Sequence, residues 1–156
     1  MSHIFSTQLK KGAHKMKKST DELLEILKSK RTYEEFFEQE IDELIFSSIS
    51  DYLEILLSEK GLKKSEVIDR SNIDKNYAYQ IFNGNKTNPS RNKVLMLSFG
   101  MKLNLNETRK LLKICNLSDL YARSPRDSII IFCINKGISL IDCNEYLNDF
   151  SLELLE

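Results

Sequence analysis

Chain-breaking residues are scarce in this sequence, and their positions limit what it can fold into. Only five Gly and two Pro occur in 156 residues, too few for the many turns of an all-β sandwich or barrel. Most of them fall where helices start or stop. Gly61 follows an apolar-periodic stretch and Gly84 closes a short one. Pro89 stops any continuation. Ser124-Pro125 reads as an N-cap followed by Pro at the first helical position, and Gly137 ends the stretch that Pro125 opens. The chain reads as all-α. Apolar residues at 41% are enough for a core, and charged residues at 29% keep the composition that of a soluble globular domain. The length suits one domain, or one small domain with appended helices. No apolar run approaches about 18 residues, so no membrane partner is expected. Three Cys without a C-x-x-C pair, and no signal-peptide core near Met1, read as reduced thiols in a cytoplasmic protein.

The formal net charge of zero conceals a segregation. Residues 1–18 carry five Lys and no acid. Residues 19–59 carry 12 acids against three bases, residues 60–113 carry 12 bases against four acids, and residues 114–156 carry seven acids against three bases. A compact basic block between two acidic ones is the charge pattern of a phosphate-binding module.

Apolar spacing organises the chain into four parts. Residues 1–18 have no apolar period and read as a mobile basic tail. Residues 19–48 form an acidic helical segment. In it Ser19 or Thr20 caps a helix over 21–28, with Leu23, Leu24, Ile26 and Leu27 as its apolar side, and Thr32 caps a short segment holding Phe36 and Phe37. A long helix is expected over 41–60, from Ile41, Leu44, Ile45, Ile49, Leu53 and Leu56. Residues 49–116 form the basic domain, and residues 117–156 are a C-terminal helical extension.

Within the basic block the helices become short. Residues 64–71 read as a two-turn helix, Asn72-Ile73-Asp74 as a tight turn, and residues 75–83 as a second short helix. A fourth helix runs from Ser90 or Arg91 to Phe99, and a fifth starts at Asn104 or Asn106. Two short helices joined by a few residues form the helix-turn-helix pattern. Ile73, Tyr77, Ala78, Ile81 and Phe82 make one apolar stripe. Lys75, Asn76, Tyr79, Gln80 and Asn83 occupy the opposite face. Asn and Gln can read adenine bidentately, Lys can reach guanine or phosphate, and Tyr can bond phosphate or pack on a thymine methyl. Lys63, Lys64, Lys86, Arg91 and Lys93 flank the two helices as phosphate contacts.

The run from Leu62-Lys63-Lys64-Ser65-Glu66-Val67-Ile68 to Asn72-Ile73, then Ile81-Phe82-Asn83-Gly84, Asn88-Pro89-Ser90, Val94 to Met101 and Leu103-Asn104-Leu105-Asn106-Glu107, resembles the lambda-repressor-like, Cro/C1-type helix-turn-helix family, also called the xenobiotic-response-element family. The resemblance covers under half the chain. It implies a five-helix core over about 49–116 and sequence-specific binding of double-stranded DNA by a transcriptional regulator. It also implies a homodimer on two half-sites. The sequence departs from the family at four places. Lys64 stands for the usual Gln, and Asn72 stands for the usual turn Gly. Ile68 and Ala78 reverse the usual sizes, and one extra residue lies between Gly84 and Pro89. An alternative is a protein-interaction module that keeps the fold as a scaffold and docks a toxin or a signalling enzyme.

The C-terminal part reads as a helical hairpin. Ile129 to Ile134 form a helix buried on most sides. A last helix from Ser139 has Leu140, Ile141, Cys143, Tyr146, Leu147 and Phe150 as its apolar set. The hairpin either completes the core or serves as a dimerisation or docking surface. No catalytic set, metal site or cofactor motif is legible. The only histidines, His3 and His14, lie in the tail, and Gly84-Asn85-Lys86-Thr87 lacks the first Gly of a P-loop. Cys115, Cys133 and Cys143 fall at apolar helical positions and read as core residues rather than nucleophiles.

Overall fold

A computed structural model gives the structure of the protein and describes residues 18–40 and 48–156. Among the described residues there are nine helices and no strand, as the scarcity of Gly and Pro requires. No described helix is long and apolar enough to cross a membrane. The chain divides into two compact units, 1–47 and 48–156. The tail expected over 1–18 lies outside the described residues except for Lys18.

In the first unit, α1 (Thr20–Ser29) and α2 (Tyr33–Glu40) are short and strongly acidic at their starts. Ser19 caps α1 by accepting from the Glu22 N–H at 3.1 Å, and Thr32 accepts from the Glu35 N–H at 3.2 Å. These caps place Asp21, Glu22, Glu34 and Glu35 in first turns, where the helix dipole favours carboxylates. Phe36 and Phe37 are buried, whereas α1 buries no residue and leaves Leu24 and Leu27 exposed.

The second unit begins with α3 (Ile49–Lys60). The expected long helix from Ile41 is corrected here. Ser48 is extended (φ −74°, ψ 165°) and its hydroxyl accepts from the Asp51 N–H, so a new helix starts at Ile49. The rest of that expectation, 41–47, lies outside the described residues. Gly61 ends α3 in the left-handed conformation, φ 62°. Then come α4 (Lys64–Ser71), α5 (Lys75–Phe82), α6 (Arg91–Gly100) and α7 (Leu105–Ile114). Two more follow, α8 (Pro125–Lys136) and α9 (Leu140–Asp149). Ser90, Ser124 and Ser139 cap α6, α8 and α9. Asn104 and Glu107 form a reciprocal capping box on α7 at 2.8 and 2.9 Å.

The centre of this unit is α6. Seven consecutive residues, Val94 to Gly100, are buried. Such a run can only sit inside a ring of other helices. Its one polar member, Ser98, is satisfied by donating to the Val94 carbonyl at 3.0 Å. The buried cluster runs from Ile49 to Leu155 and includes Ile130, Cys133, Leu140, Cys143 and Leu147. Residues 49–116 and 117–156 therefore share one core, and the hairpin completes it. Its apolar set is only partly inward, however. On α9, Leu140, Cys143 and Leu147 are buried while Ile141, Tyr146 and Phe150 are exposed. On α8, Ile130, Cys133 and Ile134 are buried while Phe132 is exposed. With about 3.6 residues per turn, one packed face cannot take all of them. The segment after α9 is held down by Asn144, which donates to the Leu155 carbonyl and accepts its N–H at 3.0 and 2.8 Å.

Where α4 meets α6, Gly100 permits a backbone approach that no other residue allows. A Cβ there would lie 1.9 Å from the Ser71 hydroxyl and 2.6 Å from the Val67 carbonyl oxygen. Gly100→Ala is expected to destabilise the protein by about 2 kcal/mol or more, as overpacking of a tight core does. Urea unfolding reads this. Adding Ser71→Ala should restore only part of the stability, because the Val67 carbonyl remains in the way.

Candidate nucleic-acid interface

The α4–α5 pair is built by local chemistry. Asn72 closes α4 in the left-handed conformation (φ 53°), its N–H bonding the Asp69 carbonyl. Asn is among the few non-Gly residues that tolerate this region. Ile73 turns inward and is buried. Asp74 then caps α5, its carboxylate accepting from the Tyr77 N–H at 3.1 Å. Ala78, Ile81 and Phe82 anchor α5 in the core. Ile68 and Ala78 are both buried in the core, as the reversed sizes allow.

The five expected base-reading residues share the outward side of α5. Lys75, Asn76 and Asn83 are exposed, Tyr79 is 37% exposed, and Gln80 is half-buried. No carboxylate lies among Lys75 to Phe82. The Asn83 side-chain oxygen accepts from the Asn85 N–H at 3.0 Å, which folds the following loop. The Gln80 carbonyl accepts from the Lys86 N–H at 2.9 Å and fixes the same loop. Gly84 adopts φ 87°, next to the Ser50 side chain.

The five expected phosphate contacts do not behave alike. Lys63 is exposed at the N-cap position of α4, which has no side-chain cap. Lys86 is exposed, with its ammonium 5.9 Å from the Tyr77 ring centre. Lys93 is half-buried in the first turn of α6. Lys64 pairs with Glu54 at 2.9 Å and lies 5.3 Å from the Phe82 ring centre. The structure brings Lys64 and Lys86 against aromatic residues of α5 and pairs Arg91 with Asp127.

Arg91, expected as a phosphate contact, is engaged within the protein. Its guanidinium donates to both carboxylate oxygens of Asp127, at 3.0 and 2.9 Å. It also donates to the carbonyls of Ser118 and Asp119, each at 3.0 Å. This fork–fork pairing uses four of the five donors. Asp127 also accepts from the Tyr121 N–H at 2.9 Å. Burial by itself raises the Asp127 pKa, but the bonds from Arg91 and Tyr121 outweigh it and hold the carboxyl below the usual range. In the same loop Asp119 pairs with Arg109 at 2.7 Å, and that bond lowers its pKa. Asp127 was legible in sequence only as a first-turn acid of α8. Its partner lies 36 residues away, and no local pattern joins them.

Among the described residues no group of His, Cys, Asp or Glu is arranged to hold a metal ion. Cys133 and Cys143 are fully buried, and burial pushes both thiols up. Burial also pushes Cys115 up to about 11. All three are neutral thiols at physiological pH, two of them in the core and Cys115 half-buried against it.

The Arg91–Asp127 pair makes a pH-dependent contribution to stability. The folded pKa of Asp127 is depressed, so its stabilisation is present above the ordinary carboxylate value of about 4 and is lost as the pH falls through the folded value. Arg91→Leu is expected to cost about 3 kcal/mol near neutral pH by leaving Asp127 buried and unpaired. The gap to the unsubstituted protein should narrow as the pH falls and that carboxylate protonates. Chemical denaturation at a series of pH values checks this. A gap independent of pH would remove the ion pair as its cause.

No family model, no curated protein and no solved structure matches this chain.

Proposed function

We propose that the chain binds double-stranded DNA as a sequence-specific transcriptional regulator, with α3 to α7 as a lambda-repressor-like core and α5 as the recognition helix. The observation that carries this reading is the surface of α5. An eight-residue helix, joined by three residues to α4 and anchored by Ala78, Ile81 and Phe82, turns outward a set of Lys, Asn, Tyr, Gln and Asn without a carboxylate. A solvated face of ordinary composition carries Glu and Lys instead. Bidentate amides suit base edges in a major groove. Lys63 at the start of α4, Lys86 in the loop after α5 and Lys93 on α6 supply phosphate contacts that position the helix without choosing sequence. The resemblance to the family implies a homodimer reading two half-sites about one helical turn apart.

A second reading, a protein-interaction module on the same scaffold, is favoured by one observation. Five of the 12 bases in 60–113 are spent on ion pairs within the protein, namely Lys60, Lys64, Arg70, Arg91 and Arg109. The basic block is therefore a weaker phosphate-binding surface than its composition suggests.

Fluorescence anisotropy against duplexes selected from a randomised pool, and against an unrelated duplex, separates the readings over a salt series. Selective binding that weakens steeply with salt is expected. Lys75→Ala with Gln80→Ala should cost about 1–3 kcal/mol on the selected duplex for each bidentate base pairing removed. Lys63→Ala or Lys86→Ala should weaken both duplexes alike and reduce the salt slope by about one. Folded protein that selects no duplex at low salt would transfer the conclusion to the protein-interaction reading.

A further inference from the structure

The 48–156 unit leaves six large apolar side chains exposed, and four of them (Phe132, Ile141, Tyr146 and Phe150) are on or beside the C-terminal hairpin. Ile141 is 72% exposed and Phe150 67%. Phe132 and Tyr146 meet edge to face at 6.2 Å between ring centres, and the Lys136 ammonium lies 6.0 Å from the Phe132 ring centre, yet both rings stay more than 40% exposed. Such a concentration of exposed apolar groups on one hairpin is the usual mark of a binding surface.

Charge gives this face its specificity. Asp142, Glu145 and Asp149 recur at i, i+3 and i+7 along the outer crest of α9 and are all exposed. None of them is in an ion pair among the described residues. An open groove of about 390 Å³ runs along one side of the crest, where Ile138 and Tyr146 supply the apolar lining. A second, of about 280 Å³, runs along the other side, where Ile141 and Leu154 do so. Glu145 and Asp149 border both grooves.

We infer that the outer face of α9 docks a basic amphipathic helix of a partner protein. Aliphatic side chains of that helix fill the two grooves. Lys or Arg at i, i+4 and i+7 pair with the carboxylate crest between them. A second copy of this chain fits poorly, because a two-fold contact centred here sets crest against crest. The same carboxylates repel a phosphate backbone, so this face is separate from the one offered to DNA.

The test uses the full chain and a fluorescein-labelled synthetic helical peptide with Lys at i, i+4 and i+7 flanked by Leu. A peptide of the same composition in scrambled order is the control. At physiological ionic strength the patterned peptide is expected to bind at least about tenfold tighter than the scrambled one. Two variants should each abolish that preference: Asp142→Asn with Glu145→Gln and Asp149→Asn, and Ile141→Ser with Tyr146→Ser. All five substitutions are at exposed positions, and circular dichroism confirms folding. Should either combination unfold, Glu145→Gln alone reads the same loss at smaller amplitude. Equal affinity for the two peptides overturns the proposal, since charge alone then suffices. Unchanged preference in the variants overturns it too, because the peptide then sits elsewhere, for example on the acidic residues 19–59. Self-association abolished by the same substitutions would assign the face to a second copy and overturn it as well.

Discussion

The ion pair between Arg91 and Asp127 ties the basic module to the rest of its unit. Arg91 stands at the first position of α6, the helix whose buried run forms the centre of the core. From there it grips the start of α8 through Asp127 and the intervening loop through the carbonyls of Ser118 and Asp119. Arg126, one residue before Asp127, holds Asn92 and the carbonyls of Glu153 and Leu154. One short stretch of α6 and one of α8 thus fix the hairpin, the loop and the final segment at once. A partly buried pair of this kind is stabilising only when its remaining donors and acceptors are satisfied, and here four guanidinium donors have partners.

The same interaction bears on the proposed phosphate-binding surface. Arg91 is the best phosphate ligand by chemistry among the flanking bases, since its fork matches an oxyanion. With Arg91 engaged by Asp127, the proposed phosphate contacts are Lys63, Lys86 and Lys93, and Lys64 is shared with Glu54. A DNA interface made of lysines positions by point charge and is screened readily by salt. Selectivity in such an arrangement rests on the amide and aromatic side chains of α5. Its rigidity comes from the Asp74 cap at one end and the Asn83–Asn85 bond at the other.

The hairpin has two faces with different duties. Cys133, Cys143, Leu140 and Leu147 seal the core, and their burial makes the two thiols inert small hydrophobes. The opposite face keeps aromatic and aliphatic groups in water beside a row of carboxylates. That exposure does nothing for the stability of this chain, which is why a partner gives it a physical rationale.

Helix positions, caps and the Asn72 turn were legible because they depend on neighbours within four residues. Ser90, Asn104, Ser124 and Ser139 cap the helices that the sequence places after them, and Asn72 takes the positive φ expected of its position. The outward face of α5 was legible for the same reason, since helical periodicity fixes which residues oppose Ala78, Ile81 and Phe82. The break at Ser48 was not legible because the apolar period runs through it, and a serine hydroxyl can cap a helix or ride on one. Other features belonged to the tertiary structure alone. The direction of Arg91 depends on groups 27 to 36 residues away. The exposed side of α9 depends on how much of its apolar arc α6 and α8 cover. Sequence fixes a helix through short-range sterics and hydrogen bonds. Which long side chain goes inward is decided only when distant partners compete for it in the packed core.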